Sequence, residues 1–289
     1  MSVSYDFSKA KTLVGEHSLL IRQGVRNTLL GIGFRDVADT ASVVKVYQTI
    51  KETKVDLIVL NKEMEKNDTS FLVKEIRLGK VGADPFAAII AVLTDTDEYT
   101  VRTAIDSGVD DLLVVPFAPD QLIKRVLGLV ARRKPFVVTH DYIGPERRLA
   151  PRTNASSATQ FAVPNPLAHG AKGLSEGRYH ADVLAARELV FAERVKRLAA
   201  HTEWEAKGLL DVVRLGPPPD DMGPRLYKLE QVAEELLMRL GKGVQNAAVE
   251  GLAAKAKAMR GAPQAIPIGE LEQLLALAKT VARTYAAAH

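Results

Sequence analysis

Residues 55–68 read VDLIVLNKEMEKND, a short run dense in β-formers that breaks into a charged loop, with Asn61 at the junction. The run 55–60 is long enough for a buried strand and too short for a helix. In an α/β sheet, the loop at the carboxyl end of a central strand is where chemistry is normally placed. A carboxylate there could act as a nucleophile or hold a cation. The carboxamide of Asn61 does neither, because its nitrogen is non-nucleophilic and its oxygen neutral. It can donate and accept hydrogen bonds, and so can tie loops together. A second polar group flanks the turn signal Ile143-Gly144-Pro145: Tyr142 precedes it, and Arg147, Arg148 and Arg152 come behind. Guanidinium forks suit phosphate or carboxylate.

Other chemistries are excluded by what is missing. There is no cysteine, hence no thiolate nucleophile, disulfide or Cys-based zinc site. Six scattered histidines show no HExxH or similar spacing. Residues 14–18, VGEHS, carry no glycine-rich phosphate loop. No cofactor and no metal is expected. The 39 cations are offset by 35 anions, a balance too even to argue for nucleic acid. The N-terminus lacks the apolar core of a signal peptide, and no run approaches the ~20 apolar residues of a membrane span. A soluble, cytoplasmic protein is expected.

The elements that position Asn61 follow from periodicity. Strands are predicted at 12–15, 34–38, 55–60, 86–93 and 112–115. Helices are predicted between and after them at 18–32, 42–51, 70–78, 99–106 and 119–133. Leu20, Ile21, Val25, Leu29 and Ile32 illustrate the helical spacing, and Gly33 stops that helix. The run FAAIIAVL (86–93) is nearly all apolar, as a strand covered on both faces must be. Five successive βα units predict a parallel sheet wound on both faces.

At this point the chain resembles a response-regulator receiver (CheY-like) domain, through RNTLLGIGF (26–34), NKEMEKND (61–68), LTD (93–95) and VVPF (114–117). The resemblance covers about residues 10–133. It implies a five-stranded, flavodoxin-like sheet of strand order 2-1-3-4-5. Receivers hold Mg²⁺ with an acidic pair after the first strand and an aspartate after the third. That aspartate takes the phosphoryl group, and a Thr or Ser after the fourth strand and a Lys after the fifth bind it. The corresponding positions here are Glu16 and His17, Asn61, Thr94 and Val115. The switch aromatic of the fifth strand falls on Leu112. Where the family's loop has Pro and Gly, this chain has Glu65 and Thr69. The losses agree: a hard cation wants several anionic oxygens, and only Glu16 remains, while Val115 cannot neutralise a phosphate. Asn61 can donate to Glu16 or Thr94 and hold the site without metal. The resemblance therefore implies a degenerate pseudo-receiver, with no enzymatic activity, whose face from residue 96 to 133 serves as a docking surface.

Residues 135–180 read as a linker, with 154–177 poor in large apolar residues. Residues 136–138 are expected to add to a sheet edge or cover one. The YIGPERR segment is similar to a tail found in bacterial receiver-like proteins. Arg147, Arg148 and Arg152 also fit the RRxxxR pattern of PilZ domains, which implies cyclic di-GMP binding, but no small β-barrel follows. From 181 onward 22 alanines in 109 residues favour helix. Three amphipathic helices are predicted to form a bundle: 181–215, a second from Leu226 to Ala248 with a bend at Gly241 and Gly243, and a third whose seam runs through Leu271, Leu274, Ala278, Val281 and Tyr285. A histidine phosphotransfer match fails, since Arg239 stands where the histidine of His-x-x-Lys-Gly should be and His201 is misplaced. The expected organisation is thus 1–134 receiver-like, 135–180 linker and 181–289 helical. The expected role is an adaptor that binds signalling proteins and self-associates through its helices or receiver face. A conventional phosphorelay regulator and a cyclic-dinucleotide sensor are the alternatives.

Overall fold

The structure, a computed structural model, describes residues 5–147, 159–172, 175–241 and 246–285. The chain divides into two compact units, Met1–Leu189 and Val190–His289.

The first unit alternates strands and helices: β1 (Lys11–Gly15), α1 (Leu19–Gly31), β2 (Asp36–Thr40), α2 (Val43–Glu52) and β3 (Leu57–Asn61). A short hairpin, β4 (Glu63–Met64) and β5 (Asn67–Asp68), follows, then α3 (Ser70–Arg77), β6 (Ala88–Leu93), α4 (Glu98–Asp106), β7 (Asp111–Val114) and α5 (Pro119–Ala131). The five long strands form a sheet in the order β2-β1-β3-β6-β7, all pairs parallel. This is the expected 2-1-3-4-5 order once the hairpin is set aside.

Side chains alternate across a strand, so β3 and β6 feed two cores at once. Leu57, Val59, Ile90 and Val92 pack with Val25, Leu29, Leu122 and Val126 of α1 and α5. Ile58, Leu60, Ile89 and Ala91 pack on the other face with Val46, Ile50, Leu72 and Ile76 of α2 and α3. Every residue of β3 and β6 is buried, which is why their sequences are apolar throughout rather than alternating.

The segment after α5 carries secondary structure of its own. Residues 136–138 do not join the main sheet. They form β8 (Phe136–Val138), which pairs antiparallel with β9 (Ile143–Pro145) and β10 (Gln160–Phe161) in a separate three-stranded sheet. The cause is the β-forming Phe136-Val-Val run, whose three side chains are all buried. Helix α6 (Pro166–Ala171) and the start of α7 (Glu176–Leu215) also fall within residues read as linker, and the unit boundary lies inside α7.

In the second unit the predicted middle helix is two helices, α8 (Met222–Leu240) and α9 (Ala247–Arg260). Gly241 adopts φ 74° and ends α8, a conformation that side-chain-bearing residues resist. A 3₁₀ turn (Pro263–Ala265) leads to α10 (Ile268–Tyr285). Leu198, Leu209, Leu226, Leu236, Leu252 and Leu274 lie in one continuous core, completing the helical bundle. Among the described residues no helix is long and apolar enough to cross a membrane.

Candidate functional site

Asn61 ends β3 with no solvent exposure, and Glu16 follows β1 almost fully buried. The parallel register of β1 and β3 brings these two loop starts side by side. The Asn61 amide nitrogen donates to Glu16 Oε2 at 2.7 Å, and the other carboxylate oxygen accepts the Ser18 backbone N–H at 2.8 Å. The Asn61 carbonyl oxygen in turn accepts the Glu63 N–H at 2.9 Å. Both ends of the amide are therefore engaged inside the protein, one on a carboxylate and one on the backbone.

His17 is about half exposed, with Nδ1 3.3 Å from Glu16 Oε1. Thr94, just past β6, is exposed, and Val115, just past β7, is half-buried with its N–H on the Leu93 carbonyl at 2.8 Å. Both sit at the same carboxyl edge of the sheet, but among the described residues neither side chain hydrogen-bonds Asn61. Leu112 is half-buried in β7 and packs against the core shared with α2 and α3. The structure thus joins Glu16, His17 and Asn61 and leaves Thr94, Leu112 and Val115 as neighbours.

Several participants escape a reading of motifs alone. Thr69, where the resemblance leads one to expect glycine, donates its hydroxyl to the carbonyls of Asn61 (2.8 Å) and Lys62 (3.2 Å). Lys62 reaches Asp68 at 2.9 Å, and Arg22 donates to the Glu16 carbonyl at 2.8 Å. Glu65 and Lys66 both have positive φ, 52° and 63°, the geometry of a type I′ hairpin turn. The Glu65 carboxylate then accepts the Val43 N–H at 3.0 Å, where α2 begins and its first amides lack partners. The loop after β3 is thus stitched to itself and to α2.

A divalent cation does not fit this donor set. The Asn61 amide turns its NH₂ toward Glu16, so a donor occupies the side from which an oxygen would have to coordinate. Hard cations need several oxygens, with charge, converging on one point, and Glu16 is the one buried carboxylate in the Glu16–His17–Asn61 cluster. Among the described residues no group of three or more potential ligands is placed to hold a metal.

The segment after α5 is anchored at the opposite, amino end of the strands. Arg77, 1% exposed, donates to the carbonyls of Pro85 (2.7 Å), Ala87 (2.9 Å) and Gly108 (2.8 Å) and to Asp110 Oδ2 at 2.9 Å. Arg133 grips the same carboxylate, with Nε 2.8 Å from Oδ1. Burial alone raises the Asp110 carboxyl, but Arg133 and Arg77 outweigh it and hold the group below the usual carboxylate range. Burial brings Arg77 down to about 10, still far above neutrality. The Phe136 ring lies near both guanidinium groups, 5.1 Å from that of Arg77 and 5.0 Å from that of Arg133.

The same geometry explains the Tyr-Ile-Gly-Pro signature. A Cβ on Gly144 would stand 2.8 Å from the Gly108 Cα and 2.5 Å from the Tyr142 hydroxyl, so only glycine allows this backbone approach. The Tyr142 hydroxyl donates to the Pro145 carbonyl at 2.8 Å, and the Arg147 guanidinium donates to the Val109 carbonyl. Arg148 and Arg152 lie outside the described residues. In the second unit His201, misplaced for a phosphate carrier, is only 8% exposed and stacks on Trp204.

The first unit is similar in sequence to known proteins. The model of the response regulator receiver domain matches residues 13–127. The chemotaxis protein CheY homolog of Campylobacter jejuni subsp. jejuni (strain 81-176) is 31% identical over 118 residues, spanning 40% of this chain and 88% of that protein. Chemotaxis protein CheY1 of Helicobacter pylori (strain J99) is 29% identical over 123 residues, 42% of this chain and 95% of its own length. Among solved structures, a two-component response regulator from Clostridium difficile aligns with 43% of this chain and 98% of its own, at 22% identity and a TM-score of 0.39. With its parallel sheet, strand order and matched span, the chain belongs to the response-regulator receiver family.

Proposed function

We propose that this two-component signalling protein works without aspartyl phosphate, as a non-enzymatic adaptor or scaffold whose receiver acts through protein–protein contacts. The observation that carries this reading is the buried Asn61 amide, bonded to Glu16 at 2.7 Å where a phosphoacceptor carboxylate would stand. Val115 at the lysine position and Leu112 at the switch position point the same way. The partners are signalling proteins, together with a second copy of the chain through its helices or receiver face. A conventional phosphorelay regulator is the second reading, and kinship with the chemotaxis proteins at 31% identity favours it. The difference lies in whether the pocket still takes Mg²⁺ and a phosphoryl group. Titration of the protein with Mg²⁺ and beryllofluoride, followed by amide NMR, separates the two. The adaptor reading expects unchanged resonances at Glu16, Asn61 and Thr94, and saturable shifts there would establish the conventional one.

A further inference from the structure

At the amino end of β7, away from Asn61, a cavity of about 450 Å³ opens between β7, α5 and the residues following β9. Its walls carry five cations, Lys124, Arg125, Arg132, Lys134 and Arg147, against two carboxylates, Asp110 and Asp111. Both carboxylates are already engaged. Asp110 holds Arg77 and Arg133, which do not line the cavity, and Asp111 faces Arg125 at 3.7 Å. Lys124, Arg132, Lys134 and Arg147 are then left without a carboxylate partner among the described residues. The Arg147 Nε is buried with no acceptor.

Like charges that converge on one concavity raise each other's energy unless an anion enters. Among the described residues the cavity is lined by no acid other than Asp110 and Asp111. A volume of about 450 Å³ lies in the range of small-molecule sites, ~300–1,000 Å³. The cations come from two stretches of chain, 124–134 and 147, and face a hollow rather than a flat surface, which suits a compact, multiply charged ligand better than an extended peptide. We infer that this cavity binds a small organic phosphate bearing at least two negative charges, giving the receiver a chemical input separate from the Asn61 site.

Calorimetric titration of the full chain with inorganic pyrophosphate, at low salt and at 0.15 M salt, tests this. Saturable binding at one site is expected, weakening as salt rises. The double variant Arg132→Ala/Lys134→Ala removes two cations that take no part in the Asp110 network. It is expected to weaken binding about tenfold or more. Hydrogen exchange on β6 and β7 peptides checks that the variant remains folded. Absence of saturable heat with the wild-type chain, or equal affinity in a folded variant, overturns the inference. So does a poly-glutamate peptide that binds in a variant-sensitive way while pyrophosphate does not, which would make the surface a protein-docking site.

Discussion

Replacing Asn61 with aspartate restores the family's carboxylate in a site built around an amide. The new carboxylate stands where Asn61 Nδ2 now lies 2.7 Å from Glu16 Oε2, with both residues essentially buried. Two charges that close repel by about 6 kcal/mol at an effective dielectric constant near 20. Protonating one of them at pH 7 is cheaper. For a carboxyl titrating near 4 it costs about 4 kcal/mol, at ~1.4 kcal/mol per pH unit. The cheaper route wins. The resulting acid–carboxylate hydrogen bond only replaces the lost amide bond, leaving a net loss of about 4 kcal/mol. Hydrogen exchange of β1 and β3 peptides reads this locally, without interference from the helical unit. The Asn61→Asp protein is expected to lose about 4 kcal/mol of protection at pH 7. Most of that should return at pH 5, where the protonation cost falls by about 2.7 kcal/mol. Part should also return with millimolar Mg²⁺, for which Glu16 and the introduced carboxylate together offer charged oxygens. Wild-type protection at pH 7 in the absence of metal would refute the reasoning, because the amide would then not be what stabilises the site.

Three further outcomes follow from the packing. Asp110→Asn leaves the buried guanidiniums of Arg77 and Arg133 without their counter-charge and is expected to destabilise the receiver by about 3–5 kcal/mol in chemical unfolding. Because Asp110 titrates below its unfolded value, its contribution is complete above about pH 4 and disappears as pH falls through the lower folded value. Wild-type stability should therefore fall steeply in that acid window, while the Asp110→Asn profile loses this component. Phe136→Ala removes a fully buried ring packed edge-on against Phe86 at 5.8 Å and is expected to cost about 3–5 kcal/mol, read as early proteolytic cleavage within β8–β9. Self-association should appear in light scattering of the full chain as a concentration-dependent mass above 31.4 kDa, and a strict monomer at high concentration removes that part of the proposal.

The main sheet was legible because burial on both faces leaves a one-dimensional mark. FAAIIAVL and the run before Asn61 have no polar side to show, and the helices between them repeat at their own period. The Asn61–Glu16 pairing was legible too, since the resemblance put both at the carboxyl ends of neighbouring strands. What escaped depends on residues distant in sequence. Arg77, Asp110 and Arg133 each look like ordinary surface charges at the end of an element, and only the fold brings the two arginines onto one carboxylate. The hairpin after β3 was hidden because its turn uses Glu65 and Lys66 at positive φ, without the glycine or asparagine that usually announces such a turn.

The segment after α5 looked like linker for a related reason. Its composition is mixed, and its anchors are Gly144 against Gly108 and Phe136 against two arginines, contacts no local period encodes. The early start of α7 has a similar origin. Tyr179 is buried, with its hydroxyl 2.5 Å from Asp84 and Lys54 4.4 Å above its ring, so tertiary contacts hold the first turns in place. In the helical unit Gly241 and Gly243 did signal a weakness, but composition alone did not distinguish a bend from the observed break.

The claim that the receiver works without aspartyl phosphate is tested most directly by intact-mass measurement after incubation with acetyl phosphate and Mg²⁺, with Asn61→Asp treated in parallel. The account predicts no gain of a phosphoryl mass on the wild-type chain. A stoichiometric, hydroxylamine-labile adduct on the wild-type protein would contradict it.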